Sequence, residues 1–155
     1  MGGEDAVIIP LKLLLHKYGK EKVKNLLNTF KCSINTDVEH FLKNSSILFE
    51  EINKSRTYLV IKKGTTDILG YFTLTLSILK IVEDVSKKTL KKLDGILKDK
   101  TEFPVYLIGQ LGKNEMFWNE ITGSYLLESA ISIIYDAYEI VGGRIVLVET
   151  LNNFN

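Results

Sequence analysis

From Pro104 to Leu127 the chain reads PVYLIGQLGKNEMFWNEITGSYLL, and no other stretch limits the fold as tightly. The β-branched and aromatic run Val105-Tyr106-Leu107-Ile108-Gly109-Gln110-Leu111 predicts a strand. A short turn follows. Leu126, Leu127, Ala130, Ile134, Ala137, Tyr138 and Val141 then recur at helical spacing, which predicts a helix over 119–141 with those residues buried. Gly142-Gly143 closes it, and Ile145-Val146-Leu147-Val148 begins a second apolar run over 144–151. Strand, helix and strand in that order make a right-handed crossover between parallel strands.

The rest of the chain builds outward from this unit. Segments 57–63 and 68–81 are rich in β-branched and aromatic residues and flank Gly64-Thr65-Thr66-Asp67, the pattern of an antiparallel hairpin. Upstream, helices are expected over 10–18, with Gly19 as the stop, and over 20–31, with Val23, Leu26, Leu27 and Phe30 on one face. A third begins at the capping box Thr36-x-x-Glu39 and continues through Val38, Phe41, Leu42, Ser45, Leu48, Phe49 and Ile52. Segment 86–100 reads as a lysine-rich helix with Leu90, Leu93 and Leu97 on a narrow stripe, weakened by Gly95. The expected fold class is α/β (α+β), one domain over 1–155. Its strands 58–61, 70–81, 105–112 and 144–148 should form a mixed, mainly antiparallel twisted sheet flanked by helices.

Composition narrows the function classes. Of 155 residues, 45% are hydrophobic and 25% charged, which suits a soluble domain with a real core. The formal net charge of +1 supplies no global pull toward nucleic acid, membrane or acidic partners. No stretch approaches the roughly 20 apolar residues of a membrane span. The apolar start at Ala6 is interrupted by Pro10 and Lys12 and preceded by Glu4-Asp5, unlike a secretory signal. Cys32 is the single cysteine, so no intramolecular disulfide forms, and a cytoplasmic location fits.

The turn after the first strand leads into a helix opening around Thr122-Gly123-Ser124. The first N–H groups of a helix lack internal partners and carry partial positive charge, so such a turn suits a phosphate. Gly123 lets a diphosphate approach the backbone closely. Ile108-Gly109-Gln110-Leu111-Gly112-Lys113-Asn114, with the ungapped spacing to Gly123-Ser124-Tyr125-Leu126-Leu127, resembles the acetyl-CoA site of the GNAT superfamily of acyltransferases, in its bacterial toxin-type branch. Phe30-Lys31-Cys32 with Val38-Glu39-His40-Phe41-Leu42 resembles that branch's first helical region. Arg56 to Val60 and Leu69 to Leu74 resemble its second and third strands, so the likeness spans about Phe30 to Thr150.

The resemblance implies an N-acetyltransferase that uses acetyl-CoA as cosubstrate. It implies pyrophosphate on the amides of Trp118, Asn119, Ile121, Thr122, Gly123 and Ser124, and pantetheine along Leu111, Gly112 and Lys113. Trp118 replaces the usual Gln or Arg of the phosphate motif, and Ile121 replaces its first Gly, adding bulk where cofactor would lie. Family members continue past the fifth strand with a helix and two strands, including a tyrosine that protonates the leaving thiolate. No tyrosine follows Tyr138, so the chain is expected to be truncated, completed by a partner, or non-catalytic.

Acetyl transfer also needs a base and an amide that polarises the carbonyl. The N–H of Leu111 or Gly112 fits the second role. Glu115 and Glu149, near the strand ends, are the carboxylates in range, with Glu115 read as a solvated charge and Glu149 as a structural one. His16 and His40 stand alone on helices, without triad or metal spacing. Lysines 87, 88, 91, 92, 98 and 100 form a cationic face, open to solvent, to cofactor phosphates or to an acidic macromolecule such as RNA. Three readings stay open: an acetyltransferase acting on a small-molecule, protein or aminoacyl-tRNA amine; a non-catalytic acyl-CoA-binding module; and a protein-interaction subunit. The last strand, without Lys or Pro to blunt its edge, is expected to self-associate.

Overall fold

In the computed structural model, which describes residues 5–149, five strands lie in the order β1-β2-β3-β4-β5. They are β1 (Ala6–Pro10), β2 (Arg56–Lys62), β3 (Ile68–Lys80), β4 (Glu102–Lys113) and β5 (Val146–Val148). The first three pairings are antiparallel, and β4 with β5 is parallel. The expected hairpin and crossover are therefore both present. β1 is the addition. Its run Ala6-Val7-Ile8-Ile9 is too short for periodicity to separate strand from helix, and Pro10 is tolerated because it ends an edge strand.

Alternation along β2 and β3 sends side chains to opposite faces. Leu59, Ile61 and Tyr71 pack with Leu11, Leu27, Phe30, Val38 and Leu42 beneath helices α1 (Leu11–Tyr18), α2 (Lys20–Leu27), α3 (Thr36–Asn44) and α4 (Ser46–Glu51). Val60, Leu69, Phe72 and Ile108 pack on the other face against Leu126, Ala130 and Ile134 of α6 (Gly123–Val141). The sheet thus sits between two helical layers.

Four details correct the sequence reading. The third helix is two: α3 ends at Ser45, and α4 presents Ile47 and Glu50 inward, leaving Leu48 and Ile52 exposed. Its cap is Asn35, whose side chain accepts from the Val38 N–H, while Glu39 reaches back to the Cys32 N–H at 2.8 Å. Thr36 is already helical. The lysine helix α5 (Lys87–Asp94) stops at Gly95, where φ is 101°, so Leu97 is exposed rather than on a stripe. Burial along α6 reaches only to Ile134, and Tyr138 and Val141 face outward. Of the last predicted strand, only Val146–Val148 pairs; Thr150 and Leu151 lie outside the described residues.

Polar groups clamp the layers. Glu50 is buried, accepts from the Thr57 N–H at 2.7 Å and pairs with Arg56 at 3.0 Å, tying α4 to the start of β2. Asn114 is fully buried at the end of β4. It donates to the Ile68 carbonyl at 2.8 Å and accepts from the N–H groups of Lys31 and Met116.

Candidate functional site

β4 changes character half-way. Thr73 pairs with Gln110 but Leu74 with Ile108, so Gly109 is an extra, bulged residue. Before the bulge, the backbone of even-numbered residues faces β5. The Tyr106 N–H donates to the Ile145 carbonyl, and the Ile108 carbonyl accepts from the Glu149 N–H, each at 3.0 Å. After it, even-numbered residues face β3. The Gln110 N–H donates to the Thr73 hydroxyl and the Asn114 N–H to the Leu69 carbonyl, each at 2.9 Å. Leu111 and Lys113 therefore turn their backbone groups toward the β5 side, and the β4–β5 ladder has already ended at Ile108.

This phase shift separates two expected site residues. The Leu111 N–H lies on the open edge, free to meet a carbonyl oxygen. The Gly112 N–H faces β3, where Gly112 pairs with Tyr71, so it is unavailable for that role. What Gly112 supplies is closeness: a Cβ there would sit 2.4 Å from Cγ1 of Val38, so only glycine lets α3 approach the strand.

At the end of the strand, the turn (a 3₁₀ segment over Glu115–Phe117) carries the chain to α6. The Lys113 ammonium lies 3.9 Å from the centre of the Trp118 ring and donates to the carbonyls of Trp118 (2.8 Å) and Ile121 (3.3 Å). One cation thereby holds the turn against the strand. Ile121 is not an obstruction. Its side chain is buried in the core with Leu69, Phe72 and Leu126, turned away from the turn's outer surface. Asn119, Thr122, Gly123 and Ser124 are exposed, as is Trp118.

Thr122 caps α6, its hydroxyl accepting from the Tyr125 N–H at 3.0 Å. The Gly123 and Ser124 N–H groups have no such partner among the described residues, the orphan donors expected of a first turn. A Cβ at Gly123 would meet nothing within 4 Å. Packing of helix on strand therefore does not explain this glycine.

On the opposite face, a cleft of about 340 Å³ opens where β4 and β5 part. Asn35, the cap of α3, lines it with Asp37 and Val38 of α3, Gly109 to Leu111 of β4, Val148 of β5 and Glu149 just beyond it. Asp37 and Glu149 have no cationic partner among the described residues; Arg144 donates to the Lys92 carbonyl at 3.2 Å. Glu115 is engaged elsewhere. It accepts from the hydroxyl and N–H of Ser33, and these bonds hold its carboxyl below the usual glutamate range. These bonds pin the loop before α3 to the turn after β4.

The remaining sequence candidates lie outside this region. His40 is exposed, with its ring 3.1 Å from the Asn44 amide. Burial raises the Cys32 thiol above its ordinary value, the setting of a small core residue. The α5 lysines stand at the other end of β4 from Gly123, roughly 30 Å away at strand rise, too far to meet the same phosphates. Among the described residues no helix is long and apolar enough to cross a membrane. Asp37, Gln110 and the bulge at Gly109 escaped sequence reasoning, because a cleft liner on a helix flank and a one-residue bulge leave no periodic signature.

No family model and no curated protein sequence matches the chain. Solved structures do. The toxin AtaT, complexed with acetyl-methionyl-tRNAfMet, is 22% identical, with a TM-score of 0.71 over 96% of this chain and 80% of that one. A KacT mutant gives 21% identity and a TM-score of 0.73, covering 97% and 81%. AtaTR bound with AcCoA gives 22% and 0.69, covering 97% and 80%. The chain has the GNAT fold. At these identities the likeness establishes architecture.

Proposed function

We propose that the chain is an N-acetyltransferase that passes the acetyl group of acetyl-CoA to a primary amine. One observation carries this: the unpaired β4 edge at Leu111 and Lys113 leads directly to the open helix start at Gly123. Pantetheine amides would pair with that edge, and the diphosphate would rest on the Trp118–Ser124 turn, with Asn119, Thr122 and the Gly123 and Ser124 amides around it and the Lys113 cation behind. That a structure of AtaTR holds AcCoA supports the reading.

The chemistry follows from the cleft. An ammonium drawn to Asp37 and Glu149 must lose a proton, to Glu149 or to water beside it. The amine nitrogen then attacks the thioester carbon, while the Leu111 N–H stabilises the developing oxyanion. The nitrogen gives up its extra proton to water in the cleft, the C–S bond breaks as the amide forms, and the CoA thiolate takes a proton from solvent. Tyr71 is no proton source, since its phenol is buried, bonded to the Val38 carbonyl and pushed far above its ordinary pKa by desolvation.

Calorimetry with acetyl-CoA and with CoA tests binding, and release of free thiol in the presence of amines tests transfer. Tight binding without transfer would favour the second reading, an acyl-CoA-binding module, which fits a cleft lined by no tyrosine among the described residues. Pairing of β5 with a second copy is a separate proposal, resting on the half-exposed Val146 and checked by light scattering over a concentration series.

A further inference from the structure

Gly109 and Gln110 break the ladder that β3 and β4 otherwise keep. Because the backbone phase changes between them, both turn their N–H groups toward β3. An antiparallel ladder offers one acceptor for every second residue, so two donors in succession leave one in need of another partner. That partner is a side chain. Thr73 is 3% exposed, and its hydroxyl accepts from the Gln110 N–H at 2.9 Å. Its cross-strand neighbour Thr57, whose own buried hydroxyl has no partner among the described residues, does not compete for that oxygen. The fit is close from β4 as well. A Cβ at Gly109 would stand 3.3 Å from the Thr73 oxygen, so glycine at the bulge leaves the hydroxyl its room.

We infer that Thr73 is a positioning residue for acetyl transfer: its hydroxyl latches the bulge at Gly109 and so turns the Leu111 N–H to the open edge. The inference rests on the acetyl-transfer reading and adds to it a residue that acts through the backbone. The physical reason is phase. A methyl in place of the hydroxyl would leave the buried Gln110 N–H without this acceptor, a cost that the strand can escape by moving the extra residue along the ladder. Each residue passed by the bulge exchanges an edge-facing backbone for one that faces β3, or the reverse. Once the bulge lies beyond Leu111, that N–H faces β3 and the thioester carbonyl has no donor.

Backbone amide hydrogen exchange on the full chain, read by NMR, tests the latch without any ligand. Gln110 should exchange slowly in the parent chain and Leu111 fast. In Thr73→Val, Gln110 should exchange about tenfold faster relative to Leu59, which β1 and β3 flank on both sides. Thr73→Ser keeps the hydroxyl and should restore the parent pattern. Gly109→Ala presses on the same oxygen from the opposite strand and should give a smaller change of the same kind. Calorimetry reads the consequence: Thr73→Val should bind CoA about tenfold more weakly, while ADP, which reaches only the turn at Gly123, binds both chains alike. Unchanged exchange at Gln110 in Thr73→Val would overturn the inference. So would faster exchange with CoA affinity kept, or a serine variant that behaves like the valine one. A parent chain that binds no CoA fails the acetyl-transfer reading instead, and the exchange pattern at Gln110 and Leu111 still decides the latch.

Discussion

The two halves of β4 are built from similar residues and do different work. From Phe103 to Ile108 the strand pairs with β3, and from Tyr106 with β5 as well, and its side chains Phe103, Val105 and Ile108 are buried. From Gly109 to Lys113 it is paired on the β3 side only, with every residue half-exposed. One bulged glycine separates the halves. The first half is held by side-chain burial; the second is held by polar clamps, which leave backbone groups unspent. A strand can thus serve as scaffold and as binding edge within a few residues, provided that clamps replace the missing neighbour strand.

The sharpest test is Gly112→Val. Its side chain would have to enter the space taken by Val38, and a loss of about 3 kcal/mol is expected in urea unfolding. Combining it with Val38→Ala should recover part of that loss, which a purely local backbone effect would not allow. Asn114→Ala comes next, at about 2 kcal/mol, because it strands the Ile68 carbonyl and two N–H groups in a buried site. If it costs no more than a surface substitution, the clamp account of the open half is wrong.

Gly123→Asp addresses ligand rather than stability. A carboxylate against a diphosphate should weaken CoA binding about tenfold, a cost of about 1.4 kcal/mol, with unfolding little changed. Unaltered affinity in calorimetry would move the site elsewhere. Acid should loosen the open half before the closed one. Glu115 and Glu39 both have lowered carboxyl pKa values, from the Ser33 and Cys32 bonds, so their contribution is present above the ordinary glutamate value of 4.5 and is lost as pH falls through their folded values. Amide exchange at Ser33 and Cys32 should therefore lose protection below that pH ahead of β2 and β3. Smallest of all is Gly123→Ala, where open space predicts a stability change within about 0.5 kcal/mol, against the large loss at Gly112.

Much of this architecture was legible in the chain. The hairpin, the final crossover, and the helix opening at Thr122-Gly123-Ser124 follow from periodicity and turn residues, which act over a few neighbours and so survive in sequence. Local signals also misled. Thr36-x-x-Glu39 has the spacing of a capping box, yet Asn35 takes the cap because Glu39 is drawn to the Cys32 N–H. The apolar run of α4 points its other face inward because Ser45 interrupts the helix and resets the register.

By itself, the sequence determined the antiparallel hairpin, the final crossover and the helix start at Thr122-Gly123-Ser124, because hydrogen-bonding period and glycine placement are properties of adjacent residues. Tertiary structure alone decided that Ile121 turns into the core, that Gly112 serves Val38 while Gly123 serves nothing inside the protein, and that Asp37 and Glu149 share a cleft. Those outcomes depend on the β4 bulge and on how closely α3 approaches the sheet, distances set between residues far apart in the chain.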